Sequence, residues 1–509
     1  MSCKYGVRKF YSKGAYLVIA WTLLVSATAI ASYSLIESVS TNYPIWLGAI
    51  PLSLFLLLTF WLGLLANYKL QDYTIIRIGI ISLFFVAMVS SIYVLILGSG
   101  LEHRFEKYRL LNEIVYCIVG CVFLVAMTCF VCTLQLGLDQ MPDASSSSIT
   151  SFIAWFVFST SAGRWIGEFL EFVLKGNCFG LVEVTITSIQ LYSLCAALFA
   201  SLILVLDLLF AKSWLIIEPN PPKSFTLIYC VLKFAAKHKA PLNRSALTYW
   251  EEDVPSRMDL GKSRYGGPFT TEQVEDVKSI LRLLAMSPPL WLISFALAFN
   301  PTFHDAALQH RHIKFHNFTN CTSDMLFSFT YSGHLWSMIG ILVNEFFIYP
   351  LFKDRLPSIL KRIGVASFFS LVLSIGFIIL ESFQVMEMVE TVISFVSNGL
   401  LSTLFLCAIL ELVCAQAPYN MRRLFAVYML INYGTASIAG IYGSGAIHPK
   451  NNAMVLILFG IKAAISLLGF ILYCLLARWY KRRVRDEDYH VQTVVEEVYD
   501  RYLTPRNLD

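Results

Sequence analysis

Hydrophobic positions along the chain do not alternate with polar ones. They come in long unbroken blocks separated by short polar turns, and a bilayer core needs roughly 20 apolar residues per helical crossing. Twelve such blocks are read: Tyr16–Glu37, Ile45–Ala66, Thr74–Leu97, Ile114–Gly137, Ser151–Leu174, Val184–Ala211, Leu281–Phe299, Leu326–Phe352, Ile363–Leu380, Val392–Ala415, Leu424–Tyr442 and Ala453–Leu476. The pattern predicts an all-α, polytopic membrane protein. Strands of a membrane barrel would instead read as alternating segments of about ten residues. The first block lacks a small-residue cleavage signal and is too long for a signal-peptide core, so it counts as a span.

One polar interruption, Lys212–Ile280, divides six spans from six. The expected organisation is therefore an N-terminal bundle over 1–211, a connector over 212–280, a C-terminal bundle over 281–477 and a tail over 478–509. Within the connector, Thr270 precedes an acid-then-base run from Glu272 to Arg282, with Gln273 three residues on. That order predicts a capped amphipathic helix leading into the seventh span.

Composition and charge sharpen the class. The chain is 57% hydrophobic and 14% charged, with mean hydropathy +0.64, well outside the range of a soluble domain. Lys and Arg number 16 in the segments placed inside, the long connector omitted, against 7 outside. The bias places both termini in the cytosol. The sequons at Asn317 and Asn320 then fall on the outer face as candidate glycosylation sites, while Asn243-Arg-Ser245 falls inside. Either the plasma membrane or an endolysosomal membrane fits. The net charge of +5 reads as this inside bias, not as a nucleic-acid footprint.

Charges within apolar blocks are costly and point to function by default. Glu411 lies in the tenth block, seven residues before Pro418; Arg164, Glu168 and Glu171 lie in the fifth, and Glu345 in the eighth. Arg164 and Glu168 are spaced i, i+4 and can neutralise one another; alternatively, Arg164 offers a forked anion donor to a substrate carboxylate. Glu411 reads either as a counter-ion and proton carrier or as a partner to a neighbouring helix, and Glu345 reads as a proton carrier or an interfacial acid. The twelve cysteines lie mostly in spans and make no disulfide framework. Cys129-Phe-Val-Cys132 lacks His or acidic neighbours and reads as core, while Cys178 and Cys321 fall outside and could pair. His304, His310, His312 and His316 match no metal spacing. No phosphate-binding loop, nucleophile elbow or Ser-His-Asp order occurs, so neither an enzyme nor an ATP-driven pump is expected, and no cofactor or metal.

The block Glu411-Leu-Val-Cys414-Ala-Gln416-Ala-Pro418-Tyr-Asn-Met421-Arg422 resembles the tenth-span signature of proton-dependent oligopeptide transporters. Asp139-Gln140, then Phe152, Trp155, Phe156, Phe158 and Gly163, resembles that family's fourth-to-fifth-span element. Glu275-Asp276-Val277-Lys278 and Glu345 through Tyr349-Pro350 to Lys361-Arg362-Ile363-Gly364 follow in register, and the central segment is similar to a divergent animal peptide and histidine transporter-like branch. The resemblance implies a major facilitator fold and proton-coupled uptake of di- or tripeptides or histidine by a monomer in the lipid bilayer. It also implies a substrate site at Glu411, Tyr33, Ser161 and Trp155, to which the intramembrane charges add Arg164 as carboxylate ligand and Glu168 and Glu345, beside Glu411, as proton-coupling candidates. Departures are marked: Thr28 and Ala29 stand where the family's first span carries Glu and Arg, Ser161 replaces an Asn, and the loop after the second span has Asn67, Gln71 and Asp72. An uncoupled carrier of another organic anion, or a non-transporting receptor or scaffold, remains open.

Overall fold

The computed structural model describes residues 12–40, 72–97, 109–141, 146–175, 188–216, 224–238, 256–299, 333–352, 357–383, 387–446 and 452–480. The second predicted span, both sequons, the four loop histidines, Cys178 and Cys321 lie outside these residues, as does the side chain of Tyr33.

The N-terminal half supplies α1 (Lys13–Ser40), α2 (Asp72–Leu97), α3 (Arg109–Phe130), α4 (Thr133–Asp139), α5 (Ser146–Lys175) and α6 (Ser188–Leu206). Helix α6 widens into a π turn, Asp207–Ala211, and carries on to Trp214. The connector holds α7 (Ser224–Lys237) and α8 (Thr271–Ala285). Then come α9 (Ser287–Ala298), α10 (Gly333–Val343, followed by a π turn Asn344–Ile348 and a last turn to Phe352), α11 (Ile359–Ser382), α12 (Glu387–Gln416), α13 (Tyr419–Ala446) and α14 (Asn452–Trp479).

Among the described residues nine helical stretches are long and apolar enough to cross a membrane. Helices α5 and α13 are less apolar, yet at 30 and 28 residues they reach about 45 and 42 Å at 1.5 Å per residue. Each also makes polar contacts to other helices, Thr150 of α5 to Glu411 and Tyr428 of α13 to Ser287. The predicted fourth span differs in one respect: the helix breaks at Val131–Cys132 into α3 and α4.

Packing follows side-chain size. In α5, a Cβ on Gly163 would lie 2.1 Å from the Leu23 carbonyl oxygen, and one on Gly167 would lie 2.8 Å from Ile30 Cβ. Only glycine lets α1 approach this closely. In the first half α2 packs on α3 and α6; in the second, α11 pairs with α14, α9 with α13 and α14, and α10 with α12. The halves meet where α5 packs on α10 and α12, and where α4 touches α13. Away from these contacts α11 exposes Val365, Phe368, Phe369, Val372, Ile375 and Ile379. Such a face is at home only in hydrocarbon. The chain is an integral, multi-pass membrane protein.

The connector is locally ordered by its own chemistry. Thr270 and Gln273 form the reciprocal capping box of α8, which satisfies two otherwise orphaned N–H groups. Gly266 adopts φ 83°, and Lys262 bridges to Phe269. Lys262 Nζ lies 2.7 Å from both Asp259 and Glu275, while Lys278 Nζ lies 2.5 Å from Asp259 and 3.1 Å from Glu275. Burial alone would raise the Asp259 carboxyl, but hydrogen bonds from Lys262, Lys278 and Ser256 hold it well below the usual carboxylate range. Burial likewise opposes the charge on Lys262, and its bonds to Asp259 and Glu275 override this and push it up. We call the membrane face bearing this element the connector face.

Candidate functional site

The site is built where α5 of the first bundle lies antiparallel to α10 of the second, with α12 beside both. Helix α5 presents polar side chains toward that seam at three depths. Near the connector face Thr150 Oγ1 donates to Glu411 Oε1 at 3.2 Å and Ser151 Oγ donates to Glu345 Oε2 at 3.2 Å. At mid-depth Ser161 and Ser337 share a hydrogen bond of 2.9 Å, and Ser337 in turn bonds Thr403. Toward the opposite face Glu168 meets His334 Nε2 at 3.4 Å. Trp155 packs edge-on against Phe158 and Phe346, at 5.2 and 6.5 Å between centroids.

Glu411 is not a lone acid. Its Oε1 also accepts from Arg362 Nη2 at 2.8 Å, with side-chain exposures of 14% for Glu411 and 32% for Arg362. Arg362 occupies the first turn of α11, an end where the helix dipole disfavours a cation, so the carboxylate stabilises it there. Glu345 lies in the π turn, a backbone widening that often marks functional positions. The two acids line one narrow crevice with Thr150, Asn344, Arg362 and Cys407.

Arg164 lies elsewhere. It stands 14 residues beyond Thr150 on the same helix, about 21 Å at 1.5 Å per residue. Its side chain is exposed, and among the described residues no carboxylate is within ion-pair distance. The predicted pair with Glu168 gives way to the Glu168–His334 contact, because Glu168 turns toward α10. Arg164 stands on α5, the helix that packs against α10 and α12 of the other half. The expected clamp, with Glu411 and Arg164 holding the two ends of one small peptide, would have to span this rise. A di- or tripeptide extends about 7–11 Å, about half of the backbone rise along α5 from Thr150, which touches Glu411, to Arg164.

Three intramembrane charges escaped the reading of the sequence. Asp207, in the π turn after α6, is buried at 1% exposure with Arg77 Nε 3.5 Å away; Tyr73 donates to it at 3.2 Å. Lys462 of α14 is 3% exposed, its Nζ 5.4 Å from the Phe377 ring centre. The rule that found Glu411 would have found these, since Arg77, Asp207 and Lys462 all lie inside predicted spans. Cys129 and Cys132 are buried free thiols in the core. Among the described residues no group of His, Cys, Asp and Glu could hold a metal ion.

No family model matches the chain. Solved structures do. An auto-inhibited POT family peptide transporter matches over 93% of this chain and 98% of its own, at 15% identity and TM-score 0.60. The POT family transporter PepTSo matches over 93% and 99%, at 15% identity and TM-score 0.58. The human organic anion transporter TETRAN matches over 91% and 100%, at 12% identity and TM-score 0.55. The chain therefore has the major facilitator fold, the helical architecture that it shares with these carriers. At such identities the likeness fixes architecture; the chemistry rests on the side chains above.

Proposed function

We propose that the chain is a secondary carrier that moves small peptides or related carboxylate-bearing solutes by alternating access, with Glu411 as its proton-responsive group. The observation that carries this reading is the bond from Thr150 to Glu411, because it joins the two bundles through the one acid that the POT-like tenth-span motif predicts. Ionised Glu411 holds Arg362 and Thr150 together and keeps the connector face shut. Protonation removes the charge, weakens both bonds and frees α5 from α12. The two solved POT family structures support a peptide as cargo.

In this scheme Arg164 recognises the substrate carboxylate through its two-pronged donor face. Ser161 and Trp155 line the seam below it, and Glu168 and Glu345 are the secondary proton-coupling candidates. Cytosolic termini, and glycans at Asn317 and Asn320, belong to the same proposal.

The test is uptake of labelled dipeptide into liposomes with and without an inward proton gradient. The reading requires gradient-driven accumulation that Glu411→Gln uncouples. Accumulation insensitive to both would overturn it. A second reading has its own observation: Glu411 is already neutralised by Arg362, which leaves Arg164 as the uncompensated charge among the described residues between the bundles. That favours an organic anion without an amino group. Competition by simple carboxylates as effective as by dipeptides would select it.

A further inference from the structure

Helix α7 has two faces. Val231 and Ala235 are buried, Leu227 and Ile228 pack on the core, and Phe234 meets Phe269 of the connector edge-on at 5.9 Å between ring centres. On the far side Tyr229 is 60% and Leu232 36% exposed, and at 100° per residue they share that side with Lys233 and Lys237. Tyr229 and Leu232 mark an apolar strip and the two lysines mark a cationic edge beside it, with Lys233 Nζ 5.4 Å from the Tyr229 ring centre.

Position and charge bear on what this face would meet. Helix α7 touches α13 and α8, both of which end or begin at the connector face. Only residues 215–223 separate it from the end of α6 at Trp214, a tether of about 30 Å at most. From 219 to 250 the chain has five basic residues, Lys223, Lys233, Lys237, Lys239 and Arg244, and no acid. An apolar strip edged by lysines, tethered close to the end of a span, has the make-up of a helix that lies in the interface plane and draws in negative lipid.

We propose that the outward face of α7 docks on the anionic headgroups of the bilayer that holds the chain, so that acidic lipid fixes the connector against the membrane. Cys230, exposed on the cationic edge, is a built-in reporter. The full-length chain is reconstituted in nanodiscs of phosphatidylcholine alone or with 30% phosphatidylserine. Labelling of Cys230 by an uncharged water-soluble maleimide is followed by peptide mass spectrometry. Phosphatidylserine should slow labelling at least 3-fold, and 0.5 M salt should restore the rate, because surface charge attraction is screened. In Lys233→Gln/Lys237→Gln the slowing should disappear while labelling in phosphatidylcholine stays within 2-fold of wild type. Equal rates in both membranes would overturn the proposal; if both are slow, the face is covered by the acidic tail or a second copy. A slowing that survives in the double variant would equally overturn it.

Discussion

The bond from Thr150 to Glu411 makes the sharpest prediction, because only one of the two interactions made by Glu411 crosses between bundles. Arg362 and Glu411 belong to α11 and α12 of the same half, so their pair travels intact when the halves separate. Thr150 belongs to the other half. In Glu411→Gln the shape is kept and the acceptor becomes neutral. A hydrogen bond to a charged group contributes about 1.5–3 kcal/mol and a neutral one about 0.5–1.5. The closed connector face should therefore lose about 1–1.5 kcal/mol relative to the open one. With 1.4 kcal/mol equal to tenfold, the open population rises about 5- to 13-fold. Cys407 lines the same crevice and reports that opening: its labelling by a small maleimide in detergent should accelerate by this factor. Thr150→Val removes the whole bond from the opposite side without altering the charge beside Cys407, and should accelerate labelling by about 10-fold or more. The double variant should add little, since one bond cannot be lost twice. If Thr150→Val labels within 2-fold of wild type, or the two effects multiply in full, the bond does not hold the face shut.

Further outcomes follow from the same geometry. Arg164→Gln should weaken binding of a carboxylate substrate by about 10- to 150-fold, the value of a charge-assisted bond of about 1.5–3 kcal/mol, read by competition binding. Its melting temperature should hardly move, because the side chain is exposed. Arg164→Lys should recover only part of the affinity, since the two-pronged geometry is lost. Gly163→Ala forces a methyl to within 2.1 Å of the Leu23 carbonyl, so thermal unfolding should show a loss of about 1–3 kcal/mol. The Gly120→Ala control, where nothing lies within 4 Å, should not. In the connector, Asp259 titrates below its ordinary value and Lys262 above it. Stability from Asp259 is present above about pH 3.9 and lost as pH falls toward its folded value. Stability from Lys262 is present below about pH 10.4 and lost as pH rises through its folded value. Hydrogen-exchange protection over 256–270, corrected for intrinsic rates, should be flat between those limits and fall on either side. Asp259→Asn should lower the plateau.

Much of this architecture was legible in the sequence because it is decided locally. Spans follow from apolar length, since every backbone polar group in hydrocarbon must be satisfied within its own helix. The α8 cap follows from Thr270 and Gln273, three residues apart. Glu411 stood out because a carboxylate in an apolar run is costly wherever that run is placed. What the sequence could not decide was partnership. Whether Glu411 faces Arg164 or Arg362 depends on how α11 and α12 are rotated and how deep α5 lies against them, and no periodicity encodes that. Arg362 is 49 residues from Glu411 and Thr150 is 261 away. The turn of Glu168 toward His334, the burial of Asp207 beneath Tyr73 and Arg77, and the two π turns that carry Asp207 and Glu345 were settled the same way. In a membrane the hydrophobic pattern says which residues leave water, while only the docking of bundles decides which charges neutralise one another.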